Sequence, residues 1–288
     1  MAISDAEFAS FRALVLQETG IHLSPAKKAL LVARLAGRLR ATGSPSYRAY
    51  LGLAMQEPEE LLRLIDCITT NETRFFREPK HFDFLAREVF PAWKQGASAG
   101  RRSRRIRAWS AGCSTGQELY SLAMALLDHL GDDAGFSFEL LGTDISTRVL
   151  DRAAHAIWPI EAAADIPERY LKAFMLKGKG AQEGKMRAGS EIRQMVRFQR
   201  LNLIEERYAL TGRFDLIFCR NVLIYFQNDT KQRVIERLMR YLAPGGYLLF
   251  GHAEGLCSAA SHQLVRVLPT VYRLAPDAEG EGRRLEAR

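Results

Sequence analysis

The chain has 288 residues, 47% of them apolar, with 41 Lys and Arg against 33 Asp and Glu and a formal charge of +8. That length and apolar fraction support one or two substantial cores and exclude a disordered or fibrous chain, and no apolar run approaches the ~20 residues of a membrane span. The four cysteines, Cys67, Cys113, Cys219 and Cys257, contain no Cys-x-x-Cys pair, which argues against a zinc site or a disulfide framework and predicts reduced thiols in the cytosol.

Asp5, Glu7, Arg12 and Glu18 leave no room for the apolar segment of a signal peptide, so a cytoplasmic protein with no direct membrane insertion is expected. Residues 1–75 show helical periodicity only and read as a small helical domain. Ser24 and Pro25 form an N-cap and first-turn pair, Leu31, Leu35 and Leu39 an apolar stripe, and Gly43 a stop. Lys27, Arg34 and Arg38 fall on a separate side of that helix, within a stretch from Thr19 to Gln56 that holds no acidic residue. Ser44-Pro45 and Glu57-Pro58 open further helices, the second carrying Leu61, Leu62, Ile65 and Ile68. A helix over 80–90 and a basic, glycine-containing stretch over 95–103 make a connection spanning 76–104.

From 105 to 275 strands alternate with helices, which predicts a parallel sheet covered on both faces. The strands are expected at 105–111, 136–145, 196–202, 214–221 and 246–252. Leu119, Leu122, Leu126 and Leu130 mark one helix, and Val234, Ile235, Leu238 and Leu242 mark another, capped by Asn228 or Asp229 and closed by Pro244-Gly245-Gly246. A hairpin about Leu268-Pro269 ends the domain, and 276–288 are expected to form a disordered tail. The stretch 176–191 interrupts the alternation. Its glycines, together with Lys177, Lys179, Lys185 and Arg187, read either as an inserted hairpin or as a flexible surface loop.

The run Ser110-Ala111-Gly112-Cys113-Ser114-Thr115-Gly116-Gln117-Glu118 lies between the first strand and its helix. Glycines there let a ligand approach the backbone, and the new helix offers unpaired N–H groups; a tight structural turn is the plain alternative. Asp144 closes the next strand, where an acid can accept both hydroxyls of a ribose, and a solvated strand-end acid is again the alternative. The spacing from the glycines exceeds the ~20 residues of dinucleotide-binding folds, and Gly112-x-x-x-Gly116 is not G-x-G-x-x-G. Both departures argue against a nicotinamide or flavin enzyme and leave room for another adenosyl ligand. The positive charge points to an acidic partner such as nucleic acid, a membrane surface or an acidic protein. The basic runs on the 27–48 stretch and at Arg101-Arg102-Ser103-Arg104-Arg105 with Arg107 serve equally as solvated faces.

Taken together, Thr70-Asn71-Glu72-Thr73-Arg74-Phe75-Phe76-Arg77-Glu78, the Cys113 to Glu118 loop followed by Tyr120-Ser121, Gly142-Thr143-Asp144-Ile145, and Cys219-Arg220-Asn221-Val222-Leu223-Ile224-Tyr225-Phe226 closely resemble the CheR family. These are chemotaxis receptor glutamate O-methyltransferases that use S-adenosylmethionine. The resemblance runs in order to about Leu274. It implies an α/β fold: a doubly wound, Rossmann-like methyltransferase sheet with an antiparallel edge strand and a small inserted β-subdomain, preceded by an all-α N-terminal domain that docks the receptor. It also implies cofactor contacts at Asn71, Thr73, Arg77, Glu118, Asp144, Asn202, Leu203, Arg220 and Asn221, with S-adenosylhomocysteine as product and no metal. Asp144 suits the ribose diol, Glu118 the methionine ammonium and Asn202 the adenine. Arg77 suits the carboxylate of either cofactor or substrate. Arg77 and Tyr225 are the catalytic candidates that orient the substrate carboxylate, the neutral Tyr225 hydroxyl as the closer contact because it leaves the oxygen nucleophilic; a packed ring with a wet hydroxyl is the alternative for Tyr225.

The implied partner is a methyl-accepting chemotaxis receptor, a helical bundle exposing glutamates that Lys27, Arg34 and Arg38 can steer. In some family members a receptor C-terminal tail peptide is held by strand addition at the inserted hairpin. Two other function classes stay open. A nucleic-acid methyltransferase would also use a basic chain with an adenosyl site, although no aromatic platform flanks the basic runs and the 71–77 motif goes unexplained, so no nucleic-acid partner is expected. A non-catalytic adenosyl sensor would bind cofactor without turnover.

Overall fold

The computed structural model describes residues 2–131, 135–254 and 263–275. In the N-terminal domain, α1 (Asp5–Thr19) opens with a capping box, Ser4 Oγ accepting the Glu7 N–H at 3.2 Å while the Ser4 N–H donates to Glu7 Oε2 at 2.9 Å. A 3₁₀ turn, Pro25–Lys27, leads into α2 (Lys28–Thr42); Ser24 makes no side-chain cap, and Gly43 ends the helix in the left-handed conformation. The next helix, α3 (Tyr47–Gln56), starts after the expected Ser44-Pro45 because it is Ser46 Oγ that takes an orphan N–H, that of Ala49 at 3.1 Å. α4 (Pro58–Ile68) begins on its proline as expected. Leu31, Leu35 and Leu39 are buried with Phe11, Tyr50 and Leu64 in one core.

Arg38 is not on a free basic face. Its Nε and Nη2 donate to the Glu60 carboxylate at 2.9 and 2.5 Å, and the Tyr50 hydroxyl donates to the same group at 2.8 Å. Burial pushes Glu60 up, and the bonds from Arg38 and Tyr50 outweigh it, leaving the carboxyl below its ordinary value.

The connection is longer in helix than the sequence suggests. α5 (Pro79–Phe84), a π turn (Leu85–Val89) and α6 (Phe90–Ser98) follow without a break. Beyond α6, the Arg102 guanidinium lies 4.3 Å over Trp93 and donates to Asp215 at 2.9 Å.

The second domain runs β1 (Arg105–Ala111), α7 (Gln117–Leu130), β2 (Ser137–Asp144), α8 (Thr147–His155), β3 (Ile157–Pro159), α9 (Glu168–Phe174), β4 (Met175–Lys177), β5 (Lys185–Ala188), α10 (Ser190–Met195), β6 (Val196–Arg200), β7 (Phe214–Cys219), α11 (Asn228–Arg240), β8 (Leu242–Phe250), β9 (Leu264–Leu268) and β10 (Val271–Leu274). A 7-stranded sheet has the order β6-β2-β1-β7-β8-β10-β9. It is parallel from β6 to β8, and β10 is antiparallel to both its neighbours. This is the expected doubly wound architecture with an antiparallel edge. The chain winds outward from β1 to β6 and then returns to β7, so a crevice opens where β1 and β7 diverge, the place where such folds bind ligands. α7 is buried along most of its length, and Trp109 on β1 is fully buried with its Nε1 donating to Thr143 Oγ1 at 2.9 Å.

Several local readings need correction. β8 starts at Leu242, so Pro244-Gly245-Gly246 lies inside the strand, where the register against β7 slips between Phe214 and Leu216. The residue at the N-cap of α11 is Gln227. The insertion contains the hairpin expected over 176–191, formed by β4 and β5, and a third strand, β3, extends it to an antiparallel sheet of order β3-β5-β4. Its extra strand at 157–159 is held because Trp158, paired with Met186, buries its ring at 5.0 Å from Phe75 and 5.1 Å from Tyr120; residues 190–195 are helical. The tail 276–288 and Cys257 lie outside the described residues. Among the described residues no helix is long and apolar enough to cross a membrane.

Removing Arg38 takes the two strongest donors from a buried carboxylate, leaving it the Tyr50 hydroxyl and Arg63 at 3.6 Å. R38A should cost about 3 kcal/mol in urea unfolding. Glu60 contributes stability above its unfolded value of ~4.3 and loses it as pH falls through its folded value; that acid limb should be weaker in R38A when unfolding is measured between pH 7 and pH 4.

Candidate active site

A cavity of about 310 Å³ sits at the crevice, and the expected site residues Asn71, Thr73, Arg77, Glu118, Asp144, Asn202, Leu203, Arg220, Asn221 and Tyr225 all line it. The N-terminal domain supplies another wall through Thr19, Ile21, Lys27, Leu30 and Arg34. The loop after β1 reaches the cavity because Gly112 has φ +83°, and a Cβ there would collide with Val222. The Gly112 and Cys113 N–H groups both donate to Thr143 O, at 2.7 and 2.9 Å, tying the loop to the end of β2.

Asp144 is buried, which raises its pKa, and backbone N–H donors oppose the rise without cancelling it. Ser114 N–H bonds Oδ2 at 2.9 Å and Ser146 N–H bonds Oδ1 at 3.0 Å. A carboxylate has roughly four acceptor positions, so capacity remains for a hydroxyl ligand. Glu118, in the first turn of α7, accepts from Ser110 Oγ at 2.7 Å and from Arg220 Nε at 2.6 Å. The Arg220 side chain is only 1% exposed. Its Nη1 donates to Arg77 O at 2.7 Å and faces His81 Nδ1 at 3.1 Å, while Nη2 is buried without a partner among the described residues. Burial, followed by the Arg220 charge, pushes His81 down to about 4. The imidazole is therefore neutral at pH 7, Nδ1 accepting from Arg220 and Nε2–H facing Thr270 Oγ1 at 3.0 Å.

Arg77 is half-buried, with Nη1 donating to Glu72 O at 3.2 Å. Phe76 and Glu78 on either side have φ +46° and +58°, which folds the segment back on α7. There Ser121 Oγ accepts the Phe76 N–H at 2.9 Å, and Ser114 Oγ donates to Asn71 O at 2.8 Å. Tyr225 lies on a 3₁₀ turn (Leu223–Tyr225), its ring 5.5 Å from Lys27 Nζ and its carbonyl accepting the His22 N–H at 2.8 Å. The Asn202 amide spans the domains, Nδ2 donating to Glu18 O at 2.7 Å and Oδ1 accepting the Ile204 N–H at 3.3 Å. It is therefore committed to this contact before any adenine arrives.

The expected basic docking face is largely consumed. Arg34 donates to Ile68 O, Thr69 O and Thr70 Oγ1 at 2.5, 3.2 and 3.1 Å, bracing the segment that leads to Asn71. With Arg38 bonded to Glu60, Lys27 is the member of the trio left beside the cavity mouth. The second basic run is likewise engaged, Arg105 and Arg107 bonding Glu139 at 2.5 and 2.8 Å. Residues that sequence reasoning missed include His81, Ser110 and Glu254. His81 carries a faint signal, three residues past Glu78 in one helical turn; Glu254 is an acid a few residues beyond β8 and a glycine, near the place where Asp144 ends its own strand.

The buried pair of acids, with Arg77 on the same cavity wall, suits a ligand carrying hydroxyls, an ammonium and a carboxylate, the groups of an amino-acid nucleoside. Residues 6–69 match the CheR methyltransferase all-alpha domain, and residues 71–270 the CheR methyltransferase SAM binding domain. The chain is 38% identical over 279 residues to the chemotaxis protein methyltransferase of Escherichia coli K12, covering 96% of this chain and 93% of that protein. It is 38% identical over 270 residues to chemotaxis protein methyltransferase 2 of Pseudomonas aeruginosa, with 92% of each covered. A chemotaxis protein methyltransferase of Borreliella burgdorferi is 36% identical over 263 residues, 90% of this chain and 91% of that one. The chain belongs to the CheR methyltransferase family and is an S-adenosylmethionine-dependent methyltransferase.

Proposed function

We propose that this enzyme methylates glutamate side-chain carboxylates of chemotaxis receptors in the cytoplasm, forming methyl esters. The observation that carries the reading is the separation of charge within one cavity. Asp144 and Glu118 are buried, whereas Arg77, Lys27 and Tyr225 are half-buried around the same space. When bound, S-adenosylmethionine supplies a methyl group already activated on a sulfonium. Asp144 would accept the ribose hydroxyls and Glu118 would pair with the ammonium, with Arg220 behind it holding the Glu118 carboxylate in place. Asn71, Thr73, Asn202, Leu203 and Asn221 enclose the remainder. Arg77 lends its charge to both the cofactor carboxylate and the incoming glutamate, and the Tyr225 hydroxyl orients the latter.

No base is required, because a glutamate with a pKa near ~4.3 is already ionised at pH 7. The protein's task is placement, which can lower a barrier by ~7 to 11 kcal/mol. A nucleic-acid substrate is disfavoured by the pairing of Arg102, Arg105 and Arg107 with Asp215 and Glu139. The β-subdomain supports a finer partner assignment. Lys177, Lys179, Lys185 and Arg187 are exposed, and β4 is an edge strand, so an acidic receptor tail can add as a further strand.

The test is tritiated methyl transfer to receptor fragments with and without their tails. Mild base should release the label as methanol, and label that survives base would overturn the ester. D144A should abolish cofactor binding in calorimetry. Y225F should leave that affinity within about 3-fold while slowing transfer ~10-fold, the worth of one hydrogen bond of ~1.4 kcal/mol. K27E should lower receptor methylation at low salt and flatten its salt dependence between 50 and 300 mM.

A further inference from the structure

One buried acid has no part in the chemistry above. Glu254, just past β8, accepts the Asn221 and Gly251 N–H groups on Oε2 at 2.7 and 2.8 Å and the Ile224 N–H on Oε1 at 3.2 Å. It is 5% exposed, and burial raises its carboxyl pKa against the pull of these donors. The Gly251 N–H comes from just past the end of β8, and the other two donors from the arch that follows β7, where Asn221, Val222, Ile224 and Tyr225 line the cavity. The arch begins at Asn221 with φ +60°, a conformation disfavoured for a side chain. A Cβ on Gly251 would stand 2.7 Å from Asn221 Nδ2 and 2.8 Å from Glu254 Oε2, so the backbone closes on the carboxylate as tightly as glycine allows. On its other side the arch packs Val222 against Gly112. The arch is thus held from the cofactor loop in front and from a carboxylate behind.

We propose that Glu254 is a positioning residue for the methyl acceptor: by gathering the N–H groups of the arch, it fixes where Tyr225 meets the substrate carboxylate. This rests on the reading of Tyr225 given above. Only an acceptor-only group suits the place. A glutamine of the same shape turns an NH₂ toward N–H donors and leaves part of the arch unpaired.

The experiment uses the full chain and E254Q. In ligand-free protein, amide exchange at Asn221, Ile224 and Gly251 should quicken at least 10-fold in E254Q while β1 and α7 stay protected; unchanged exchange overturns the clamp whatever Tyr225 does. With a receptor fragment, kcat should fall about 10-fold while cofactor affinity from calorimetry stays within about 3-fold. In the Y225F background the E254Q loss should shrink to below about 3-fold. Fully additive losses would overturn action through Tyr225. If E254Q does not fold, G251A, whose Cβ displaces the same Oε2, should give the same exchange and kinetic pattern, and a wild-type pattern there overturns the proposal. Normal arch exchange with no transfer by the wild-type chain to any receptor fragment would overturn the substrate reading instead, and the acceptor role with it.

Discussion

The site depends on the buried ion pair between Arg220 and Glu118. A guanidinium taken out of water costs several kcal/mol unless its donors are met, and here Nε and Nη1 are met by groups from separate parts of the chain. Glu118 comes from α7, the Arg77 carbonyl from the bent 71–78 segment and His81 from α5, with the Phe218 and Phe82 rings 5.2 and 5.8 Å away. Satisfying one side chain therefore fixes the end of β7, the start of α7 and the segment carrying Asn71, Thr73 and Arg77 relative to one another. The neutrality of His81 matters to this arrangement, since a second cation beside Arg220 would repel it.

The N-terminal domain is bound into the same arrangement through backbone and short polar contacts. Ile21 forms an antiparallel bridge with Phe226, Thr147 Oγ1 donates to Asp66 Oδ2 at 3.0 Å, and Asn202 holds Glu18 O. The basic residues of α2 serve this construction before they serve any partner. Arg34 spends its guanidinium on carbonyls at the exit of α4, and Arg38 on Glu60. A charged stripe read as a docking surface thus becomes a brace for the wall of the cavity, with Lys27 marking where it reaches the mouth.

How much of this was legible in the sequence follows from range. The parallel strands announce themselves as buried apolar runs, and the site residues are readable because they fall at strand ends and in motifs a few residues long. β3, at three residues, is too short for any period to show, and it exists because Trp158 finds Phe75 and Tyr120 from distant parts of the chain. The Arg38 to Glu60 bond joins positions 22 apart in sequence, so a helical wheel of α2 alone cannot reveal it. Glu254 and His81 were opaque for another reason. They act through backbone N–H groups and through another side chain, so the faint spacing signal each carries does not say what it does.

The charge of the substrate changes during the reaction, and the cavity is arranged for that change. A carboxylate approaching the mouth meets Arg77, Lys27 and a phenol, while the acids lie deeper and are already bonded to Arg220 and to backbone N–H groups. Esterification removes the negative charge, so the attraction that draws the glutamate in does not hold the product. An electrostatic gain that exists for the reactant and vanishes for the ester speeds capture without slowing release. On the proposed role of Tyr225, a hydroxyl rather than a cation is the suitable closest neighbour, because a neutral donor would orient the oxygen through one bond and leave its remaining lone pairs available to react.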